Sequence, residues 1–96
     1  MAYCVYILRC RGDRLYTGIT TDVTRRFSEH RDSPRGAKFT RAFPPESVAA
    51  AWEVDSKSDA LKLEARIKRL TRAQKDALIA QTAARVFEDP AYRRTV

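Results

Sequence analysis

The chain has 96 residues, 44% of them apolar, with 19 Lys/Arg against 12 Asp/Glu and a formal net charge of +7. That is the size of one domain with a small core, too apolar and too poor in Gly and Pro for a disordered or fibrous chain. The longest apolar run ends at Leu8, well short of the roughly 20 residues that cross a membrane and wrongly flanked for a signal peptide. Residues 1–44 hold nine Lys/Arg against four Asp/Glu, and residues 45–96 hold ten against eight. The positive surplus of the first half suits a polyanion; a solvated basic surface is the alternative.

Tyr3-Cys4-Val5-Tyr6-Ile7-Leu8 reads as a strand buried on both faces and central in its sheet. Alternation puts Cys4, Tyr6, Leu8 and Cys10 on one face and Val5 and Ile7 on the other. On one strand the two cysteines stand about 20 Å apart, too far for a disulfide, which needs Cα atoms within about 7 Å. With one histidine and no Cys-x-x-Cys, a structural zinc site does not fit either. Free thiols and no export signal point to a reducing cytoplasm. Gly12-Asp13 is a two-residue hairpin signal, and Leu15 to Ile19 reads as the antiparallel partner.

Thr20-Thr21-Asp22 is a cluster of N-cap candidates before a helical pattern from Val23 to about Asp32. Ser33-Pro34-Arg35-Gly36 ends it. Residues 34–46 read as a basic loop with one helical turn, closed by Pro44-Pro45. Val48, Trp52 and Val54 alternate with smaller or polar positions as a third strand, although the three alanines between favour helix. Ser56-Lys57-Ser58-Asp59 resembles a capping box opening a helix over about 57–70, striped by Ala60, Leu63, Ile67 and Leu70. A break near Thr71 precedes a second helix over about 72–85, and residues 86–96 read as a loose tail. The domain is thus 1–85: hairpin, helix, strand and two helices, a small α+β unit.

Helical geometry sorts the polar residues at about 100° per step. With Val23 at zero, Phe27 falls at about 40°, His30 at about 340° and Arg26 at about 300°. Arg25, at about 200°, faces solvent. Arg26 and the single histidine therefore flank the apolar face, where a snorkelling arginine and a hydrogen-bonded histidine are the ordinary explanation. On the later helix, with Ala60 at zero, Glu64 falls at about 40°, between the stripe and Leu61. Its ordinary explanation is an i,i+4 pair with Lys68.

Together these residues carry a resemblance. Cys4-Val5-Tyr6, then Tyr16-Thr17-Gly18, then Arg26 and His30 in Tyr-x-Gly-x-Thr-x-Asp-Val-x-Arg-Arg-Phe-x-x-His, resemble the paired signature of the GIY-YIG nuclease superfamily. Glu64 stands where the family carries its metal-binding glutamate. Gly36-Ala37-Lys38-Phe39-Thr40-Arg41 and the stretch Ile67 to Lys75 are similar to the small stand-alone bacterial members of the YhbQ type. The match covers roughly residues 3–80. Cysteine replaces the first glycine, threonine the middle residue of the second tripeptide, and Ile19 a lysine of the excision-repair relatives; the late asparagine of some members is missing.

The resemblance implies the family's fold, a three-stranded antiparallel sheet flanked by helices. It also implies an endonuclease that hydrolyses DNA phosphodiesters with Mg²⁺ or Mn²⁺, in a repair or recombination setting. Tyr6, Tyr16, Arg26, His30 and Glu64 would be the catalytic set, with Glu64 on the metal. A hard cation is well served by one carboxylate plus waters and substrate oxygens, and Arg26 offers phosphate a planar fork. Either tyrosine can take a proton from water if a nearby cation lowers its pKa. Arg35, Lys38 and Arg41 would track the nucleic-acid backbone, DNA first with RNA open, and Phe39 packs under the loop. A weakly active binding module on the same fold is the alternative function, and so short a chain leaves targeting to its core or to a partner protein.

Overall fold

Residues 2–32, 37–80 and 92–96 are described by the computed structural model. The elements are β1 (Tyr3–Cys10), β2 (Arg14–Thr20), α1 (Val23–Asp32), α2 (Lys38–Ala42), β3 (Pro45–Val54), α3 (Lys57–Lys68), α4 (Arg72–Ile79) and β4 (Arg93–Arg94). Among the described residues the sheet has four antiparallel strands in the order β2-β1-β3-β4, not the three expected. The added strand is two arginines facing Trp52 and Glu53, too short and too charged to leave a strand pattern. It is tied in by the Thr95 amide, which donates to the Ala51 carbonyl at 2.8 Å. Residues 93–96 are therefore tied to the sheet; the expected boundary at 85 and the first part of the expected tail fall outside the described residues.

β1 is central, and its alternation divides two apolar layers. Val5 and Ile7 join Ala50, Trp52 and Val54 under α3 and α4, packing on Ala60, Leu63, Ile67 and Leu78. Tyr6, Leu8 and Cys10 face the other way, with Ala51, and are covered by Tyr16, Val23, Phe27, Phe39 and Phe43. β3 does not keep one register: Ile7 pairs with Ala50 but Leu8 with Val48, so Ala49 is bulged. A bulge reverses the side-chain alternation beyond it, which moves Val48 to the Tyr6 layer while Trp52 and Val54 stay under the helices. The small alanines that blur the strand pattern are where the two strands accommodate that irregularity.

The connections follow local chemistry. Cys10 pairs with Arg14, making a three-residue link rather than two. Gly12 (φ 76°) and Asp13 (φ 56°) both take left-handed backbone there, open to glycine and to aspartate more readily than to bulkier residues. Asp22 is the acting cap of α1, its Oδ1 accepting the Arg25 amide at 3.0 Å. Ser56 caps α3 by accepting the Asp59 amide at 3.1 Å, and its hydroxyl donates to the Asp59 carboxylate. α3 stops at Lys68, short of the expected 70, because Thr71 must turn extended to cap α4 in a capping box with Gln74. α4 runs to Ile79; its expected extension to 85 lies beyond the described residues. No helix among them is long and apolar enough to cross a membrane.

Candidate active site

Tyr6 is the hub, and its position follows from a missing side chain. β1–β2 pairing sets Tyr6 opposite Gly18, and a Cβ on Gly18 would lie 2.5 Å from the Tyr6 hydroxyl and 3.2 Å from the Tyr16 ring. The ring of Tyr6 therefore lies across the backbone of β2. The Tyr6 oxygen is 2.8 Å from Nε2 of His30 and also receives the Arg26 guanidinium. Tyr16 meets His30 edge-on at 5.1 Å between ring centres and lies 6.3 Å from Tyr6. Its hydroxyl has no hydrogen-bond partner among the described residues.

α1 delivers its polar residues as the helical wheel predicts. Arg25 is exposed, Arg26 half-buried and His30 3% exposed. Arg26 holds Glu29 at 3.1 Å, both about three-quarters covered. Nδ1 of His30 stands 2.8 Å from the Thr40 hydroxyl and 3.3 Å from the Ala37 amide. Burial, and then the Arg26 charge, hold the His30 pKa below its ordinary value, so the imidazole is neutral at neutral pH.

Tyr6 departs from expectation. A cation does sit beside it, and Arg26 does pull its pKa down. Burial outweighs that pull, with Tyr16 adding to the rise, and the phenol is pushed up to about 12. Desolvation of the phenolate wins here because Tyr6 is only 2% exposed. At neutral pH the phenol keeps its proton, so a base role needs an acceptor beside it.

Glu64 projects from α3 with its side chain 20% exposed, 3.6 Å from Lys68. The expected i,i+4 pair therefore exists, through a lysine that is 57% exposed and weakly held. The Glu64 charge is the smallest of the influences on the Tyr6 pKa, which it raises; no contact among the described residues joins its carboxylate to Tyr6, and α3 packs on the other face of the sheet. Among the described residues no three His, Cys, Asp or Glu side chains cluster as a metal cage. A single carboxylate suits a hydrated Mg²⁺ or Mn²⁺ completed by waters and phosphate oxygens, and does not suit zinc.

Of the backbone-tracking candidates, Lys38 and Arg41 stand exposed on α2, and Arg35 lies outside the described residues. Phe39 is packed as expected, stacked on Tyr16 at 5.7 Å and against Phe43 at 5.2 Å. Its edge also lines a cleft of about 240 Å³ with Arg14, Leu15, Arg72 and Lys75, a basic surface the sequence reading did not single out. Glu29 and Thr40 were missed as well. The i,i+3 spacing from Arg26 could have signalled Glu29. Thr40 had no local signal, since its partner is ten residues away. The thiols are structural: both are free, and burial pushes Cys10 up to about 11.

Comparison with known proteins accords with this geometry. The pattern of the GIY-YIG catalytic domain matches residues 2–77. Similar chains include a UPF0213 protein of Cupriavidus necator, 53% identical over 83 residues, which are 86% of this chain and 89% of the relative. A UPF0213 protein of Halobacterium salinarum is 49% identical over 74 residues, 77% and 95% of the two chains. The solution NMR structure of a UPF0213 protein from Bacillus halodurans aligns with a TM-score of 0.55 at 42% identity, covering 84% of this chain and 85% of that one. The tyrosine pair on one hairpin, the inward Arg26 and His30, and a catalytic-domain pattern spanning most of the fold lead to one assignment: the chain belongs to the GIY-YIG family, within the nuclease superfamily and beside the UPF0213 proteins.

Proposed function

We propose that this protein is a divalent-metal-dependent endonuclease that hydrolyses DNA phosphodiesters, with Tyr6, Tyr16, Arg26, His30 and Glu64 as its catalytic set. The observation that carries the reading is the 2.8 Å contact between the Tyr6 oxygen and a neutral, buried His30. A phenol with a pKa near 12 is a poor base by itself. Coupled to an imidazole it can take a proton from water while passing its own to Nε2. The water oxygen then bonds to phosphorus as the bridging P–O bond breaks, and the leaving oxygen takes a proton from solvent.

Arg26 would hold non-bridging phosphate oxygens by exchanging Glu29 for substrate, a charge-assisted fork worth more inside a dry site than in water. Tyr16 leaves its hydroxyl for a water or phosphate oxygen. Glu64 would hold the cation in place of Lys68, and a cation bound there supplies charge stabilisation for the phosphate and the leaving oxygen. Lys38, Arg41 and Arg35 would contact backbone phosphates.

The test is cleavage of duplex, nicked, branched and single-stranded DNA, and of RNA, by the full chain with Mg²⁺ or Mn²⁺. Glu64→Gln should lower cleavage at least about 100-fold, since metal stabilisation is worth several kcal/mol, while nucleic-acid binding and the thermal midpoint stay unchanged. Undiminished cleavage by Glu64→Gln rejects the assignment of Glu64. Salt-sensitive binding without cleavage of any substrate replaces the enzyme with a binding module.

A further inference from the structure

Thr40 is 1% exposed, on the first turn of α2, and the reaction outlined above gives it no part. Its hydroxyl has one proton and two neighbours. The Ala37 carbonyl oxygen, 2.9 Å away, can only accept, so it takes that proton. The Thr40 oxygen then turns lone pairs toward Nδ1 of His30 at 2.8 Å. That contact is a hydrogen bond only if Nδ1 carries the imidazole's proton. A neutral imidazole has one proton, so Nε2 is bare. The Tyr6 hydroxyl, 2.8 Å from Nε2, must donate to it. Its oxygen still has lone pairs for the Arg26 guanidinium.

The opposite tautomer is worse. It would keep the Ala37 amide on Nδ1 at 3.3 Å, the longest contact in the group. In exchange it would set lone pairs face to face either between Thr40 and His30 or between Thr40 and the Ala37 carbonyl, at 2.8 or 2.9 Å. The first arrangement sets the Ala37 N–H against the Nδ1–H at 3.3 Å, whereas the second sets lone pairs together at 2.8 or 2.9 Å, the closer and therefore costlier opposition.

We propose that Thr40 is a positioning residue: its hydroxyl, anchored on the Ala37 carbonyl, holds His30 in the Nδ1–H tautomer, so that Nε2 stands ready to accept the Tyr6 proton. The catalytic consequence rests on the nuclease reading above; the tautomer does not.

His30 is the only histidine in the chain, so long-range ¹H–¹⁵N correlation of the ¹⁵N-labelled protein reads its two ring nitrogens without overlap. The wild type and Thr40→Ser should show a protonated Nδ1 and a bare Nε2. Thr40→Val, which keeps the shape and removes the hydroxyl, should move the population to Nε2–H, because the Ala37 amide becomes the remaining partner of Nδ1. Cleavage should fall about 10- to 100-fold in Thr40→Val, the usual scale for a residue that orients a functional imidazole, and return in Thr40→Ser. An Nε2–H wild type overturns the proposal, as does a Thr40→Val protein that keeps Nδ1–H. If Thr40→Val does not fold, the wild-type and Thr40→Ser spectra still decide. A tautomer change in a protein that cleaves nothing supports the wiring and defeats the nuclease reading. Wild-type cleavage with an unmoved tautomer in Thr40→Val does the reverse.

Discussion

Gly18 shows how one missing side chain organises the hub. Tyr6 fills the room a Cβ would need, at 2.5 Å from its hydroxyl, and the backbone of a central pairing cannot yield to make space. Gly18→Ala should therefore displace the ring and cost about 1–3 kcal/mol, the range for overpacking a filled interior. Denaturant unfolding should show the loss, and metal-dependent cleavage should fall further than stability alone explains, because the Tyr6–His30 contact opens. An alanine variant with unchanged midpoint and cleavage would contradict this account. The orientation of some side chains was open to sequence reading. Arg26, His30 and Glu64 were legible because each lies on a helix whose apolar stripe reports which way it faces. Thr40 and Glu29 were not, since their importance lies in contacts to His30 and Arg26 and not in any pattern of their own. The high pKa of Tyr6 was invisible for a related reason: a nearby cation can be guessed from spacing, but the burial that outweighs it belongs to the assembled layer.

Strands and helices repeat the lesson at β4. Arg94 lies beside Trp52, its guanidinium 5.2 Å from the ring centre, and donates to the carbonyls of Leu78 and Ile79 at 3.2 and 3.0 Å. Those carbonyls belong to the last turn of α4, where the helix dipole favours a cation. A two-residue strand is thereby a clasp joining β3 to α4. Arg94→Ala should cost about 1–2 kcal/mol. Trp52, the only tryptophan, reports the change directly: its emission should shift and the chemical midpoint fall, with little effect on cleavage, since the clasp lies on the sheet edge opposite β2. An unmoved midpoint would mean the clasp is ornamental. Element order and helix starts were legible from hydrophobic period, from the Ser56 cap and from the break near Thr71, whose capping role the fold adds. The clasp was not, because Arg93-Arg94 follow no apolar pattern and read as part of a loose tail, and the Ala49 bulge was not, because alternation alone cannot report a register shift.

For the whole molecule, basic residues from both halves of the chain meet at one edge of the fold. The sheet order places β2 at an edge, with α1 and α2 over one face of the sheet and α3 and α4 over the other. Arg14 and Leu15 from β2, Phe39 from α2, and Arg72 and Lys75 from α4 meet in the cleft beside Tyr16. Its charges are not equally available. Arg72 is tied to Asp13 and Asp76 at 3.0 Å each, and Arg14 lies over the Phe43 ring at 4.1 Å. Lys75 has neither constraint among the described contacts. If the nuclease reading holds, a nucleic-acid strand passing the site neutralises such cations and releases counterions, so log K falls linearly with log salt by about 0.7 to 0.9 per phosphate contact. Lys75→Ala should flatten that slope by about one contact and weaken binding similarly across sequences. Lys38→Ala on exposed α2 tests the surface expected from sequence in the same titration. An unchanged slope for Lys75→Ala with a flattened one for Lys38→Ala would route the strand over α2 and away from the cleft. A flat salt dependence in the wild type would remove the polyanion altogether, and with it the reason for leaving nine basic residues against only four acidic ones in the first 44.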